Sequence, residues 1–151
     1  MKNSAFACVL VALAWSSSAF AGKFEVWTYE NDKAGTTEVV VSFTGDAVTQ
    51  EAQLDLQFAE GLTVRTVDSL WQGSVCVANP DVHGLRAVPP SGAGNALPSK
   101  AQDVCKFTLN RAPSLAKSFK ASSSFVAKLA ECSAPGSEVG TCELLIQDVS
   151  E

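Results

Sequence analysis

The chain has 151 residues, in which sixteen Asp and Glu residues outnumber eleven Lys and Arg residues and give a net charge of -5. This acidic balance argues against nucleic acid and anionic membranes as partners, because both bind to concentrated Lys and Arg. The length accommodates one domain with a single hydrophobic core and leaves no room for a second.

Residues 1–21 have the features of a secretory signal peptide. Lys2 supplies the positive start, an apolar stretch follows, and Ala19-Phe20-Ala21 forms a small-x-small cleavage site. The apolar stretch is about 11 residues long, well short of the ~20 that span a bilayer. We expect cleavage after Ala21, secretion to the periplasm or the medium, and a mature domain of residues 22–151 with no membrane span. Without Lys2, that domain carries a net charge of -6.

The mature chain contains four cysteines, Cys76, Cys105, Cys132 and Cys142. An even number of cysteines in an exported chain predicts disulfides. Of the three possible connectivities, we favour Cys76–Cys105 with Cys132–Cys142, because each pair then brackets one loop or hairpin. The alternative is a metal site, but the chain has no Cys-x-x-Cys motif and a single histidine. We therefore expect no metal and no cofactor.

Alternation of apolar and polar residues with a period of two dominates the sequence. It is clearest at 52–58, where every second residue is apolar, and a similar pattern covers 37–44. Turn residues such as those at 31–35 separate the runs. Further strands are predicted at 24–29, 62–67, 75–77, 85–88, 105–110 and 143–149. About eight short strands predict an all-β fold, an antiparallel β-sandwich of cohesin-like or jelly-roll-like type. A β-barrel fits less well because the strand spacings are irregular.

Two segments lack a clear pattern. Residues 79–103 are rich in Pro, Gly, Ala and Ser, which predicts a long surface loop around a short strand, with a tail at 89–95. Residues 114–130 fit an amphipathic helix and a strand equally well. The β-rich context favours a strand at 124–130.

No set of residues matches a catalytic or metal-binding signature. His83 is the only candidate base, with Asp81 beside it, but the segment is a Pro- and Gly-rich loop and no Gly-x-Ser-x-Gly turn occurs. The acidic residues are scattered on outward strand positions and predict no glycosidase pair. Asn and Asp at 31–32 and 79–81, and Asp46, offer oxygen ligands that calcium prefers, without the pattern of a calcium loop. We therefore predict a protein that is not an enzyme.

Three aromatic residues, Trp27, Tyr29 and Trp71, are the candidate ligand-binding residues. Trp27 and Tyr29 lie two positions apart and therefore share one face of their strand, whereas Phe24 and Val26 lie on the other. Exposed aromatic rings on a sheet would stack against sugar rings. The alternative is that these residues pack in the core or at an edge, as large aromatic side chains usually do.

The stretch 39–67 resembles the opening half of cohesin modules, which share a broad β-sandwich superfamily with several cellulose-binding modules. The similar segments are Val39-Val40-Val41-Ser42-Phe43, the alternating strand at 52–58 and the strand that begins Leu62-Thr63-Val64. Residues 104–109 resemble a later strand of these modules. The chain has Phe58-Ala59-Glu60 where the family commonly has Tyr-Asp-Pro. The resemblance implies a β-sandwich binding module.

These features together predict an exported, non-enzymatic module that recognises a polysaccharide or a protein through a sandwich face or a loop. One alternative is a structural or assembly component of a bacterial envelope or surface complex, in which an exposed edge strand pairs with a partner strand. Another is a small secreted hydrolase or an enzyme inhibitor, with the segment between Cys76 and Cys105 as the inhibitory loop.

Overall fold

The computed structural model describes residues 22–45, 51–90, 100–115, 121–133 and 140–149. Within these ranges the chain forms strands and short 3₁₀ helices, with no α-helix and no helix long and apolar enough to cross a membrane. The strands are β1 (Lys23–Asn31), β2 (Thr36–Thr44), β3 (Glu51–Phe58), β4 (Leu62–Ser69), β5 (Val75–Asn79), β6 (Gly84–Val88), β7 (Gln102–Arg111), β8 (Phe125–Ser133), β9 (Gly140–Thr141) and β10 (Glu143–Asp148). The 3₁₀ helices are Pro80–Val82, Pro113–Leu115 and Ala121–Ser124.

The strands form two five-stranded sheets that pack face to face. The first sheet has the order β10-β1-β2-β7-β4 and the second β5-β6-β3-β8-β9. Neighbouring strands are antiparallel, with one exception: β10 runs parallel to β1. The predicted all-β sandwich is therefore confirmed.

The core lies between the sheets and is built from the alternate residues that face inward. In β3, the residues Ala52, Leu54, Leu56 and Phe58 are at most 5% exposed, as their spacing predicts. In the first sheet, inward residues such as Phe107 of the interior strand β7 are completely buried. Because alternate residues face inward, the side chains in between form the two outer faces of the sandwich.

Both predicted disulfides are present, and one of them connects the two sheets. Cys76–Cys105 joins β5 of the second sheet to β7 of the first, with the Cα atoms 5.8 Å apart. Cys132–Cys142 joins β8 to the residue just before β10, with a Cα distance of 5.3 Å. The first cross-link therefore braces the two sheets against each other, and the second fastens the residue between β9 and β10 to β8.

The two sides of the sandwich differ in how they close. On one side β4 and β5, the edge strands of the two sheets, contact each other close to the Cys76–Cys105 disulfide. On the other side β10 is the outermost strand of the first sheet.

The segments that the sequence left ambiguous are now assigned in part. The strand predicted at 124–130 is present as β8, and 3₁₀ helices cover 113–115 and 121–124. A further 3₁₀ helix at 80–82 begins where the Asn79 side chain accepts a hydrogen bond from the backbone N–H of Asp81. The expected signal peptide, most of the predicted loop tail at 89–95 and residues 116–120 lie outside the described residues.

Candidate functional site

The outer face of the second sheet carries large apolar side chains in contact with solvent. Cys76 points inward to its disulfide partner, so its neighbours Val75 and Val77 point outward and are 49% and 48% exposed. Val126 of β8 and Val82 after β5 are also exposed, at 57% and 60%. We call these four residues and the strands between them the valine face. An apolar patch of this kind on a sandwich is typical of an interaction surface.

A fixed ion pair lies in the middle of the valine face. Arg86 of β6 and Asp55 of β3 are cross-strand neighbours, and Val77 flanks Arg86 on β5. The Arg86 Nε donates to Asp55 Oδ1 at 2.7 Å and Nη2 donates to Oδ2 at 2.9 Å. These hydrogen bonds, together with the charge of the carboxylate, raise the pKa of Arg86 above its ordinary value. Gln53 Nε2 donates a further hydrogen bond to Asp55 Oδ2, which holds the carboxylate in place.

A groove of about 580 Å³ runs across this face. Its apolar wall is formed by Val75, Val77 and Val82, and Lys128 of β8 contributes a positive charge. Protein interfaces combine a central apolar area with a few oriented polar groups, and Arg is enriched in them. The valine face therefore has the composition of a protein-binding surface.

A smaller pocket of about 420 Å³ lies at the end of the valine face and contains His83. The backbone of His83 is left-handed (φ 52°), and its ring stacks on Phe58 with centroids 5.1 Å apart. Asp81 and Ser124 line the same pocket. In the part of the chain that the structure describes, no three His, Cys, Asp or Glu side chains come close enough together to hold a metal ion.

The structure brings together two of the three candidate aromatic residues. Trp27 and Tyr29 both lie on the outer face of the first sheet, on β1, and Tyr29 is 39% exposed whereas Trp27 is half-buried. Trp71 lies just after β4 and packs against the core. Two strands separate β4 from β1, which corresponds to about 14 Å at the usual strand spacing. Trp71 therefore belongs to a different surface from Trp27 and Tyr29.

The sequence interpretation did not identify the residues of the valine face. One signal was present in the sequence: a cysteine that bonds across the sandwich must point inward, so Val75 and Val77 on either side of Cys76 must point outward. No sequence signal pairs Arg86 with Asp55, because their contact depends on the register between β6 and β3.

Comparison with known proteins gives matches in structure only. No family model and no curated protein matches the sequence. A cohesin from Clostridium thermocellum, solved as the Coh-OlpC-Doc435 type I cohesin–dockerin complex, superposes with a TM-score of 0.63 at 14% identity, over 89% of this chain and 99% of that chain. The chain has a cohesin-like β-sandwich fold.

Further solved structures show the same likeness. A non-cellulosomal cohesin from the archaeon Archaeoglobus fulgidus gives a TM-score of 0.59 at 11% identity and covers 86% of this chain and 92% of its own. The cohesin module of a family 33 glycoside hydrolase from Clostridium perfringens gives 0.53 at 15% identity, over 86% and 99%. The cohesin-like fold thus extends over most of the chain, beyond the strands on which the sequence resemblance rested.

Proposed function

We propose that this chain is an exported, non-enzymatic module that binds another protein through the valine face. The observation that carries the proposal is the exposure of four valines around one oriented ion pair on a single sheet face. A docked partner would remove the apolar surface of these side chains from water, which is favourable by roughly 25 cal/mol per Å² buried. A similar fold occurs in a protein solved as a cohesin–dockerin complex, which supports the same class of function by analogy.

The chemistry of the face defines the partner. We expect a folded protein domain that places apolar side chains against Val77 and Val126. An acceptor on the partner would meet the Nη1 of Arg86, because Asp55 engages the other two nitrogens of that guanidinium. A carboxylate would meet Lys128, which lines the groove. Apolar contacts would supply most of the affinity, and the polar groups would fix the orientation.

The experiment begins with a photo-reactive amino acid at position 77, used in the native host to capture the partner. The captured protein is then purified and titrated calorimetrically against the mature domain. Val77→Asp and Val126→Asp should each weaken binding at least ~tenfold, because each places a carboxylate in an apolar contact. Leu70→Asp is the matched control, since Leu70 is 45% exposed and lies just after β4 of the first sheet, whereas Val77 and Val126 lie on strands of the second. Equal affinity for Val77→Asp and wild type would overturn the proposal.

The proposal includes export and removal of residues 1–21. The two disulfides fit an oxidising compartment, the periplasm or the medium. N-terminal sequencing of the protein from fractionated host cells should give Gly22 as the first residue. A chain that retains Met1 in the cytoplasm would contradict this part of the proposal.

Polysaccharide binding is the second candidate function, and the outer face of the first sheet favours it. There Trp27 and Tyr29 lie side by side, with Tyr29 exposed. The test is tryptophan fluorescence during titration with a panel of polysaccharides. A saturable shift that Tyr29→Ala and Trp27→Ala weaken, and that Trp71→Ala retains, would support glycan binding at this face. A shift that Trp71→Ala alone removes would exclude the Trp27 and Tyr29 face as the site.

A further inference from the structure

The outer edge of β10 presents backbone groups that no described residue pairs with. β10 is the last strand of the first sheet and pairs with β1 on one side. The N–H of Glu143 donates to Gly22 O, and that of Val149 donates to Thr28 O. Because successive residues of a strand point their N–H and C=O groups to opposite sides, the odd-numbered residues bond to β1. Leu144 and Ile146 therefore direct their N–H and C=O groups to the open edge.

This edge lacks the features by which proteins usually prevent strand pairing. β10 has no Pro, Lys or Arg, and its register with β1 is regular. Leu145 points outward and is 41% exposed. The opposite edge strand of the same sheet is protected, because β4 carries Arg65 at a bulge and lies beside β5. Natural sheets use charges, prolines and bulges at edges to prevent association, and β10 uses none of them along its central residues.

We infer that a second copy of this chain pairs antiparallel with β10 through this edge. A two-fold axis at Leu145 places Leu145 opposite the second copy's Leu145, and Leu144 opposite the second copy's Ile146. The hydrogen-bonded pairs then join residues whose N–H and C=O groups already face the edge. Glu143 falls opposite the second copy's Gln147, so no like charges meet directly. The strand is thus complementary to itself.

The alternative two-fold axis is less favourable. An axis at Ile146 would place Leu144 opposite the second copy's Asp148, an apolar side chain against a carboxylate. Asp148 also has its own partners, because it accepts hydrogen bonds from Thr28 and Ser122. The axis at Leu145 leaves these bonds intact, so the register is selected by side chains as well as by the backbone.

The dimer would carry two valine faces on the same side. A two-fold axis between antiparallel edge strands runs perpendicular to the sheet, so the first sheets of both copies join into one ten-stranded sheet. Their second sheets then lie together on one side of it, with both outer faces pointing the same way. Two sites that point in one direction can bind a repeated or dimeric partner with an avidity above the affinity of one site.

The first test measures the mass of the oxidised protein, residues 22–151, by sedimentation equilibrium across a concentration series. Each copy has a net charge of -6, so the buffer contains 0.15 M salt, where the Debye length is about 8 Å. Wild type should approach twice the monomer mass, and Leu145→Lys should weaken association at least ~tenfold by placing two ammonium groups across the axis. Leu70→Lys is the control, because Leu70 has a similar exposure of 45%.

Two further measurements locate the contact. Leu145→Cys should form a disulfide between copies, because residues at a non-hydrogen-bonded antiparallel position have Cα atoms about 4.5 Å apart; Leu70→Cys should not. The amides of Leu144 and Ile146 should exchange hydrogen faster on dilution, whereas Leu145 and Gln147 stay protected by β1. A monomer up to millimolar concentration, or equal association of Leu145→Lys and Leu70→Lys, would overturn the inference. Neither result bears on the valine face, which Val77→Asp tests separately.

Discussion

The guanidinium of Arg86 and the carboxylate of Asp55 form a two-point ion pair, with 2.7 Å from Nε to Oδ1 and 2.9 Å from Nη2 to Oδ2. The two residues are direct cross-strand neighbours in β6 and β3. The pair holds the guanidinium in a fixed orientation beside Val77. It leaves Nη1 free to donate to a bound partner.

Arg86→Lys should therefore weaken partner binding several-fold while the thermal midpoint stays almost unchanged. A lysine keeps the positive charge but cannot form the planar two-point contact, and exposed ion pairs contribute little to stability. Calorimetric titration and thermal unfolding measure the two effects. Arg65→Lys, an exposed position in β4, is the control and should leave both unchanged. Wild-type affinity in Arg86→Lys would show that the orientation of the guanidinium is not used.

Asp148→Ala should lower the free energy of unfolding by about 1.5–3 kcal/mol, the usual contribution of hydrogen bonds to a charged group, while the Thr28 hydroxyl can still donate to Gln147 O at 3.1 Å. Asp148 Oδ1 accepts hydrogen bonds from the hydroxyl of Thr28 and the N–H of Ser122, both at 2.8 Å, and Thr28 is only 1% exposed. Urea unfolding gives the value. Asp148→Asn should lose less because its amide oxygen still accepts. Asp68→Ala, an exposed carboxylate of β4, should change stability by less than ~0.5 kcal/mol, and a comparable loss there would contradict the explanation.

Removing the disulfides one at a time should cost unequal amounts. The Cys76–Cys105 bond spans 29 residues and the Cys132–Cys142 bond spans 10. Loop-closure entropy then predicts losses of about 3.5 and about 2.7 kcal/mol for the paired Cys→Ala variants. Urea unfolding of both variants tests the order. A larger loss for the shorter loop would show that Cys132–Cys142 stabilises mainly through contacts of the native state.

Gly61→Ala should destabilise the protein by more than Gly35→Ala. Both glycines have positive φ, +90° and +61°, and an alanine there costs about 1–2 kcal/mol in backbone strain. An added Cβ at Gly61 would also lie 2.6 Å from Leu115 Cδ1, whereas nothing lies within 4 Å at Gly35. Leu115→Ala should therefore cost less in the Gly61→Ala background than in wild type. Additive effects in this double-mutant cycle, measured by urea unfolding, would exclude the contact as the cause.

Much of the fold could be predicted from the sequence because its signals are local. Alternation identified strands such as β3, and the even cysteine count with its spacing led to both disulfides. β9 was missed because its two residues, Gly140 and Thr141, are too short to show alternation. The parallel pairing of β10 with β1 was also missed, since it joins residues about 120 positions apart and depends on where the chain changes sheets.

The candidate site was less accessible to prediction. Trp27 and Tyr29 were placed on one face by their spacing, and the structure agrees with that placement. Trp71 could not be separated from them, because the order of strands in the sheet decides how far β4 lies from β1. The valine face depends on two registers at once, β5 with β6 and β6 with β3. Local periodicity gives the face of each residue within a strand but not its neighbours across strands.

The parallel pairing of β1 and β10 has a mechanical consequence. Lys23 lies beside Glu143, and five residues later Thr28 lies beside Asp148. A tension applied to the chain ahead of β1 and beyond β10 would pull the two strands in opposite directions along their length. All of the hydrogen bonds between the two strands would then bear the load together, in shear, rather than break one after another from one end. The pairing of β1 with β10 should therefore resist a force along the strands far better than a force that separates the two strands from one end.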